Sequence, residues 1–293
     1  MNLVASPGKL ISLLKAKGLS PRKSLGQNFL VDPNIARKMV EKAQLEPPDI
    51  VVEIGPGMGA LTQELARRAG LVIALEIDRG LLSILREVIA GIDNVRLVEG
   101  DALKTDFDEL VREALGAEFR GRLPSYKIVA NLPYYVTSPL LLHLLGNNFN
   151  IQYIVVMLQA EVAERLVARP GGKEYGALSV FVQYFAEPQI IMRVPRTVFY
   201  PRPEVDSAVV RLVMRPRFPG EEDREFFFRV VRAAFAQRRK TLANALCGLT
   251  GAREPVEAAL REAGINPLRR GETLSLEEFA LLSRALQAKM GRR

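Results

Sequence analysis

Ile50-Val51-Val52-Glu53-Ile54-Gly55-Pro56-Gly57-Met58-Gly59 reads as a short strand running straight into a glycine-rich turn, and Ala60 to Ala69 continues as a helix. Strand, glycine turn and helix in immediate succession open a nucleotide-binding βαβ unit, because a turn without side chains lets the backbone approach a ligand closely. The spacing departs from the dinucleotide fingerprint. The third glycine follows the second by two residues instead of three, so the cradle for a pyrophosphate is not formed and a nucleoside lacking one is favoured. Alone, such a loop is generic; its neighbours decide what it means.

Outward from it, Leu71 to Leu75 is a second strand that ends in Glu76, twenty-one residues after Gly55. A carboxylate there can accept both hydroxyls of a ribose. Asp78 fits a helix cap better than a ligand contact. Val95 to Val98 is a third strand, followed by Asp101, which is placed to bond an exocyclic adenine amine. Ile128-Val129-Ala130 then leads into Asn131-Leu132-Pro133-Tyr134-Tyr135, an apolar run ending in an amide, a proline and two aromatics. The lone pair of a purine amine is delocalised into its ring. The Asn131 oxygen and a backbone carbonyl beside Pro133 can accept its two N–H bonds while Tyr134 stacks on the base, which directs the lone pair without a charged base. A β-turn with a packed tyrosine is the plainer reading of that motif by itself. Ligands of open α/β sheets bind at the carboxyl ends of strands, so the glycine loop, Glu76, Asp101 and Asn131 are expected to converge.

With 293 residues and 48% hydrophobic content, the chain can build one large α/β domain and a smaller one. A net charge of +8 favours a polyanionic partner. Cys247 is the only cysteine and His143 the only histidine, which excludes a disulfide framework and a His/Cys zinc site within the chain. Cys247 is expected to be buried and inert, and His143 to serve packing or a local hydrogen bond. No run reaches membrane-spanning length and no signal-peptide pattern is seen, so a cytoplasmic protein is expected. Residues 1–30 carry Lys9, Lys15, Lys17, Arg22 and Lys23 and no acid, a tail that either tracks phosphates or is a solvated extension. Asp32 caps a helix beginning at Pro33.

These residues together resemble the ribosomal RNA adenine N6-dimethyltransferases, in particular the small-subunit branch. The resemblance is carried by Gly26-Gln27-Asn28-Phe29-Leu30, the stretch from Glu53 to Thr62, Glu76-Ile77-Asp78, Gly100-Asp101-Ala102-Leu103 and Asn131 to Tyr135. It continues through Gln159 to Arg165, Val198 to Ser207 and Phe235 to Leu242. It implies a Rossmann-like class I methyltransferase domain with a mixed seven-stranded sheet over residues 1–215, and a small all-α domain that binds RNA or the ribosome over 216–293. It further implies S-adenosylmethionine as cofactor, no metal, a monomer, and transfer of methyl groups to N6 of two adjacent adenosines near the 3′ end of 16S rRNA on a small-subunit assembly intermediate. Gln27, Asn28, Leu30, Gly55, Gly57, Glu76, Ile77, Asp101, Ala102 and Asn131 would border the cofactor. Pro133 and Tyr134 would position the base, with Phe199 as the second aromatic of a sandwich. Lys23, Arg202, Arg232, Arg238, Arg239 and Lys240 would contact RNA. Ala160 departs from the family, where lysine commonly follows the glutamine, which weakens any phosphate grip there. A large-subunit enzyme conferring macrolide resistance and an assembly factor acting by binding are the alternatives.

Beyond the motifs, Leu178 to Phe185 and Ala208 to Met214 suit a terminal antiparallel pair. Arg215 to Gly220 signals a boundary, after which Glu225 to Leu246, Pro255 to Ala263 and Leu276 to Ala288 read as helices. The cations from Arg229 to Lys240 would then lie on one long helix, either as an RNA face or as solvated charge. The loop from Arg169 to Gly176 reads equally as an RNA contact or a surface turn.

Overall fold

Every residue of strand β2 (Ile50–Ile54) is buried, the pattern of a parallel strand covered on both faces. In the computed structural model, which describes residues 7–22, 25–117, 119–216, 223–237 and 239–290, β2 lies inside a seven-stranded sheet. Its partners are β3 (Leu71–Glu76), β4 (Val95–Glu99), β5 (Tyr126–Asn131), β6 (Ile151–Gln159), β7 (Ala186–Val194) and β9 (Ser207–Met214). A short ladder of β1 (Phe29–Leu30) and β8 (Phe199–Tyr200) stands apart from them. The order is β4-β3-β2-β5-β6-β9-β7; β2 through β6 run parallel and β9 is antiparallel to β6. The expected mixed seven-stranded Rossmann-like sheet is therefore present. From β2 the chain builds outward through β3 and β4, then returns to place β5 on the other side of β2. That reversal opens a crevice between the carboxyl ends of β2 and β5, where such sheets bind ligands.

The glycine turn and Asn131 flank this crevice because each strand ends there for a local reason. After Ile54 the backbone enters the left-handed region at Gly55, Gly57 and Gly59, with φ of +66°, +59° and +80°. Side chains resist that region, so the turn demands glycine. After Asn131 the Leu132 amide still donates to Met157 O at 3.0 Å, but Pro133 has no N–H to continue the ladder. The chain leaves the sheet through a single 3₁₀ turn, Tyr134–Val136, into the helix Thr137–Gly146. Asp32 and Asp78 cap the helices Pro33–Lys42 and Arg79–Val88, accepting from Asn34 N and Gly80 N. His143 bonds Thr105 O at 2.8 Å and packs against Phe107 and Phe149, a local structural role.

The chain divides into two compact units, Met1–Ala163 with Pro188–Met214, and Glu164–Glu187 with Arg215–Arg293. This differs from a single cut after residue 215. Residues 164–187 join the later helices because Tyr175, Val180 and Tyr184 are buried in one core with Phe227, Val231 and Phe279, and the Tyr175 hydroxyl donates to Leu274 O. The expected strand over Leu178 to Phe185 is instead the helix Ala177–Phe185. Its apolar run suits either form, and the helix wins because it sets Val180 and Tyr184 one turn apart on the buried face, with Ser179 Oγ accepting from Gly176 N. The edge strand follows at Ala186–Val194.

The expected helix from Glu225 to Leu246 is also interrupted. It runs Arg224–Ala236, leaves helical geometry at Gln237 and resumes as short helices Leu242–Ala245 and Cys247–Thr250. Arg239 and Lys240 therefore sit in a turn and share no helix face with Arg229 and Arg232. Cys247 is half-buried, its thiol donating to Ala243 O. The helices Arg253–Glu262 and Leu276–Met290 follow. No helix among the described residues is long and apolar enough to cross a membrane.

Candidate active site

One open cavity at the carboxyl end of the sheet is lined by Gln27, Asn28, Leu30, Gly55, Gly57, Glu76, Ile77, Asp101, Ala102, Asn131, Pro133 and Tyr134. With the open space at its mouth counted, it spans about 1050 Å³. The four strand-end features converge as the βαβ pattern requires. Glu76 is 4% exposed; its Oε2 accepts from Gly57 N at 3.1 Å and its Oε1 from Asp78 N at 2.9 Å. The carboxylate thus ties the glycine turn to the end of β3 and retains acceptor capacity for hydroxyls. Burial pushes its pKa up against those two bonds. Asp101 Oδ1 accepts from Leu103 N at 3.0 Å, fixing the carboxylate at the wall.

Asn131 Nδ2 donates to Asn28 O at 3.2 Å. The Tyr134 hydroxyl lies 2.7 Å from Ser207 Oγ, which pins the ring of a side chain that lines the cavity. The Pro133 carbonyl is engaged by Val136 N at 3.3 Å and Thr137 Oγ1 at 3.2 Å, so the carbonyl left to take an incoming amine beside Pro133 is that of Leu132. Phe199 does not join them. It pairs with Leu30 across the β1–β8 ladder, is 4% exposed, packs into the core beneath the sheet and is absent from the cavity wall. The sandwich partner expected from the sequence is not presented here, because the ladder turns its ring inward.

The proposed RNA contacts fall in separate places. Arg202 is exposed in the sheet-bearing unit, outside the cavity lining; Arg232, Arg239 and Lys240 are exposed in the helical unit. Lys23 and Arg238 lie outside the described residues. Leu242 N donates to Arg269 O at 2.7 Å and Ala243 N to Pro267 O at 3.3 Å, which brings exposed Leu268 and half-exposed Arg270 beside the Arg239–Lys240 turn. That neighbour was missed in the sequence, although Pro267-Leu268-Arg269-Arg270-Gly271 carries the signal: cations on a loop.

Glu53 was also missed as a site residue. It is 1% exposed, lines the cavity and leaves Oε2 without a hydrogen-bond partner, while burial, reinforced by the neighbouring Glu76, pushes its pKa up to about 8. A carboxyl inside an otherwise apolar strand is the signal that identifies it. Three carboxyl groups on one cavity of a basic protein suit a ligand that carries positive charge and hydroxyl or amine donors, and they oppose a pyrophosphate. S-adenosylmethionine, with its sulfonium and ammonium, meets that description.

The raised pKa has a stability consequence. Unfolded Glu53 ionises near 4.5 and folded Glu53 near 8, so the folded state holds the extra proton in between and stability falls as pH rises through that window. Glu53→Gln removes the ionisation. In cofactor-free protein its stability relative to wild type is expected to grow between pH 5 and pH 9 by roughly 3–5 kcal/mol, at about 1.4 kcal/mol per pKa unit. Thermal unfolding at both pH values measures it; a pH-independent difference between the two proteins would refute the assignment.

The sequence profile described as ribosomal RNA adenine dimethylase matches residues 18–288. The chain belongs to this family. A relative from Moorella thermoacetica called ribosomal RNA small subunit methyltransferase A is 62% identical over 98% of this chain and 100% of its own. Among solved structures, a dimethyladenosine transferase from Plasmodium falciparum superposes with a TM-score of 0.71 at 26% identity, over 88% of this chain and 97% of that one. The 23S rRNA methyltransferase ErmE gives 0.65 at 29% identity, over 89% and 100%. As a member of the family, this chain is an rRNA adenine methyltransferase.

Proposed function

We propose that the chain transfers methyl groups from S-adenosylmethionine to N6 of two adjacent adenosines near the 3′ end of small-subunit rRNA, two on each amine, during assembly of that subunit in the cytoplasm. The observation that carries this reading is that a single cavity joins the acidic nucleoside wall to the Asn131–Tyr134 edge. When bound, the cofactor supplies a methyl group already activated on a sulfonium, so positioning is the main task left to the protein. Glu76 would hold the ribose hydroxyls, with Ile77 and Ala102 beside the adenine and Asp101 accepting from its amine. Gly55 and Gly57 let the backbone approach the methionine part, and Gln27, Asn28 and Leu30 cover it. Asn131 Oδ1 and the Leu132 carbonyl would accept the two N–H bonds of the target base, whose face rests on the pinned ring of Tyr134.

The small-subunit substrate is favoured over the large-subunit alternative by the 62% identity to a small-subunit methyltransferase against 29% to ErmE. Mass spectrometry of rRNA fragments after incubation of purified protein with unmethylated small and large subunits tests this. Doubly methylated adenosine in the small-subunit RNA alone is expected; label in large-subunit RNA would reverse the assignment. The helical unit would supply phosphate contacts through Arg239 and Lys240. Each exchanged for Ala is expected to weaken binding to the subunit and to lower the slope of log K against log salt by about 1. Salt titrations of binding with unchanged slope would remove these two residues from the interface.

A further inference from the structure

The segment Leu25–Leu30 lies along the cavity, every one of its residues on the wall, and it is fastened at three places. Toward the ribose side, Gln27 Nε2 donates to Asp78 Oδ2 at 2.9 Å and Gln27 Oε1 accepts from Arg22 N at 2.8 Å. At the far end, Phe29 and Leu30 pair with Tyr200 and Phe199. Between these, Gly26 adopts a φ of +56° directly beneath the half-exposed ring of Tyr135; a Cβ there would stand 2.9 Å from Tyr135 Cδ1. Asn28 Nδ2 reaches back to Gly26 O at 3.2 Å, which couples the glycine to the residue whose carbonyl meets Asn131.

That last contact matters chemically. A backbone carbonyl can only accept, so the amide face of Asn131 that meets Asn28 O at 3.2 Å must be its nitrogen, and Oδ1 is turned to the opposite side of the amide plane. An Asn amide released from that carbonyl is free to flip, and a flipped amide offers the target base two donors where its amine needs an acceptor. We propose that the Leu25–Leu30 strap is a positioning element for methyl transfer: the Asn28 carbonyl orients the Asn131 amide, and the Gly26–Tyr135 contact holds that carbonyl in place. Covering the donor and preparing the acceptor are then one event. Opening the strap to exchange the spent cofactor disengages Asn131 each time, so the target amine is gripped only while the cavity is covered. This rests on the reading of Asn131 as the acceptor for that amine.

The test is steady-state methylation of unmethylated small subunits at saturating cofactor, with hydrogen–deuterium exchange of residues 25–30 in the cofactor-free chain. Gly26→Ala, which drives a methyl group into the Tyr135 ring, is expected to lower kcat at least 10-fold and to speed exchange of the strap, with the KM for the subunit within 3-fold of wild type. Tyr135→Ala alone is expected to cost about 3-fold, and Gly26→Ala/Tyr135→Ala to recover part of the Gly26→Ala loss, because the ring's obstruction is gone while the strain of a side chain at a φ of +56° remains. A merely structural glycine would show no such rescue. Wild-type kcat in Gly26→Ala, or a double variant as slow as Gly26→Ala, overturns the proposal. Asn131→Ala measured alongside separates the two layers: if it turns over normally, the acceptor reading has failed, whereas an inactive Asn131→Ala beside a normal Gly26→Ala removes only the strap.

Discussion

Asn131→Ala is expected to lower the methylation rate by about 10²- to 10³-fold, the scale on which a fixed hydrogen-bonding group aimed at a reacting centre acts, while S-adenosylhomocysteine affinity stays within a few fold. The asymmetry follows from position. Asn131 ends β5, one strand over from the glycine turn, and its amide is tied to the strap by the bond to Asn28 O. In the proposed reading the cofactor hydroxyls and amine fall to Glu76 and Asp101, which the substitution does not touch. What disappears is the acceptor that would draw an N–H of the base aside and so expose its lone pair. Truncation also leaves Asn28 O without that donor, a penalty smaller than the catalytic loss because the strap keeps the Gln27–Asp78 bond. Asn131→Asp offers a sharper contrast. It keeps an acceptor oxygen but sets a carboxylate against the Asn28 carbonyl, so it should restore little. Single-turnover methylation with excess enzyme isolates the chemical step, and calorimetry with S-adenosylhomocysteine reports binding. Wild-type turnover, or an affinity loss as large as the rate loss, would move Asn131 out of its role.

The site was more legible in the sequence than the frame around it, for a physical reason. Features such as Gly55-Pro56-Gly57-Met58-Gly59 or the proline after Leu132 act within a few residues: a left-handed turn needs glycine, and a missing N–H ends a ladder wherever it occurs. Once β2, β3, β4 and β5 are recognised, their carboxyl ends must meet, and Glu76, Asp101 and Asn131 follow. Ala177–Phe185 has no such local instruction. Leu178, Val180, Phe181, Val182, Tyr184 and Phe185 are apolar at nearly every step, and only the core formed with Phe227 and Val231, from far along the chain, selects the helix. Phe199 fails for a related reason: its motif announces an aromatic, but the direction of the ring is set by pairing with Leu30. Glu53 shows the reverse. Its carboxyl was in plain view within an apolar strand, and only burial beside Glu76 reveals that it belongs to the cavity.

Glu76→Ala is expected to weaken binding of S-adenosylhomocysteine by at least about 10²-fold, with a smaller effect on the rate once cofactor is saturating. The carboxylate joins Gly57 N at 3.1 Å to Asp78 N at 2.9 Å, and in the proposed role it would take the ligand hydroxyls as well. Hydrogen bonds to a charged acceptor contribute about 1.5–3 kcal/mol each, so loss of two to a ribose corresponds to a factor of about 10² or more. Part of the loss comes before any ligand arrives, since the amides of Gly57 and Asp78 lose their acceptor and the turn loosens. Asp78 in turn holds Gln27, so the strap feels the change as well. Removing a carboxyl whose pKa is raised by burial also relieves a folding cost at neutral pH, so the variant's thermal stability is expected to stay near wild type despite the lost bonds. Calorimetry separates this from misfolding, and Glu76→Gln, which keeps one acceptor but turns an NH₂ group toward a donor, should fall between the two. Equal affinity in wild type and Glu76→Ala would mean that the ribose is held elsewhere, and with it the orientation here assigned to the whole cavity.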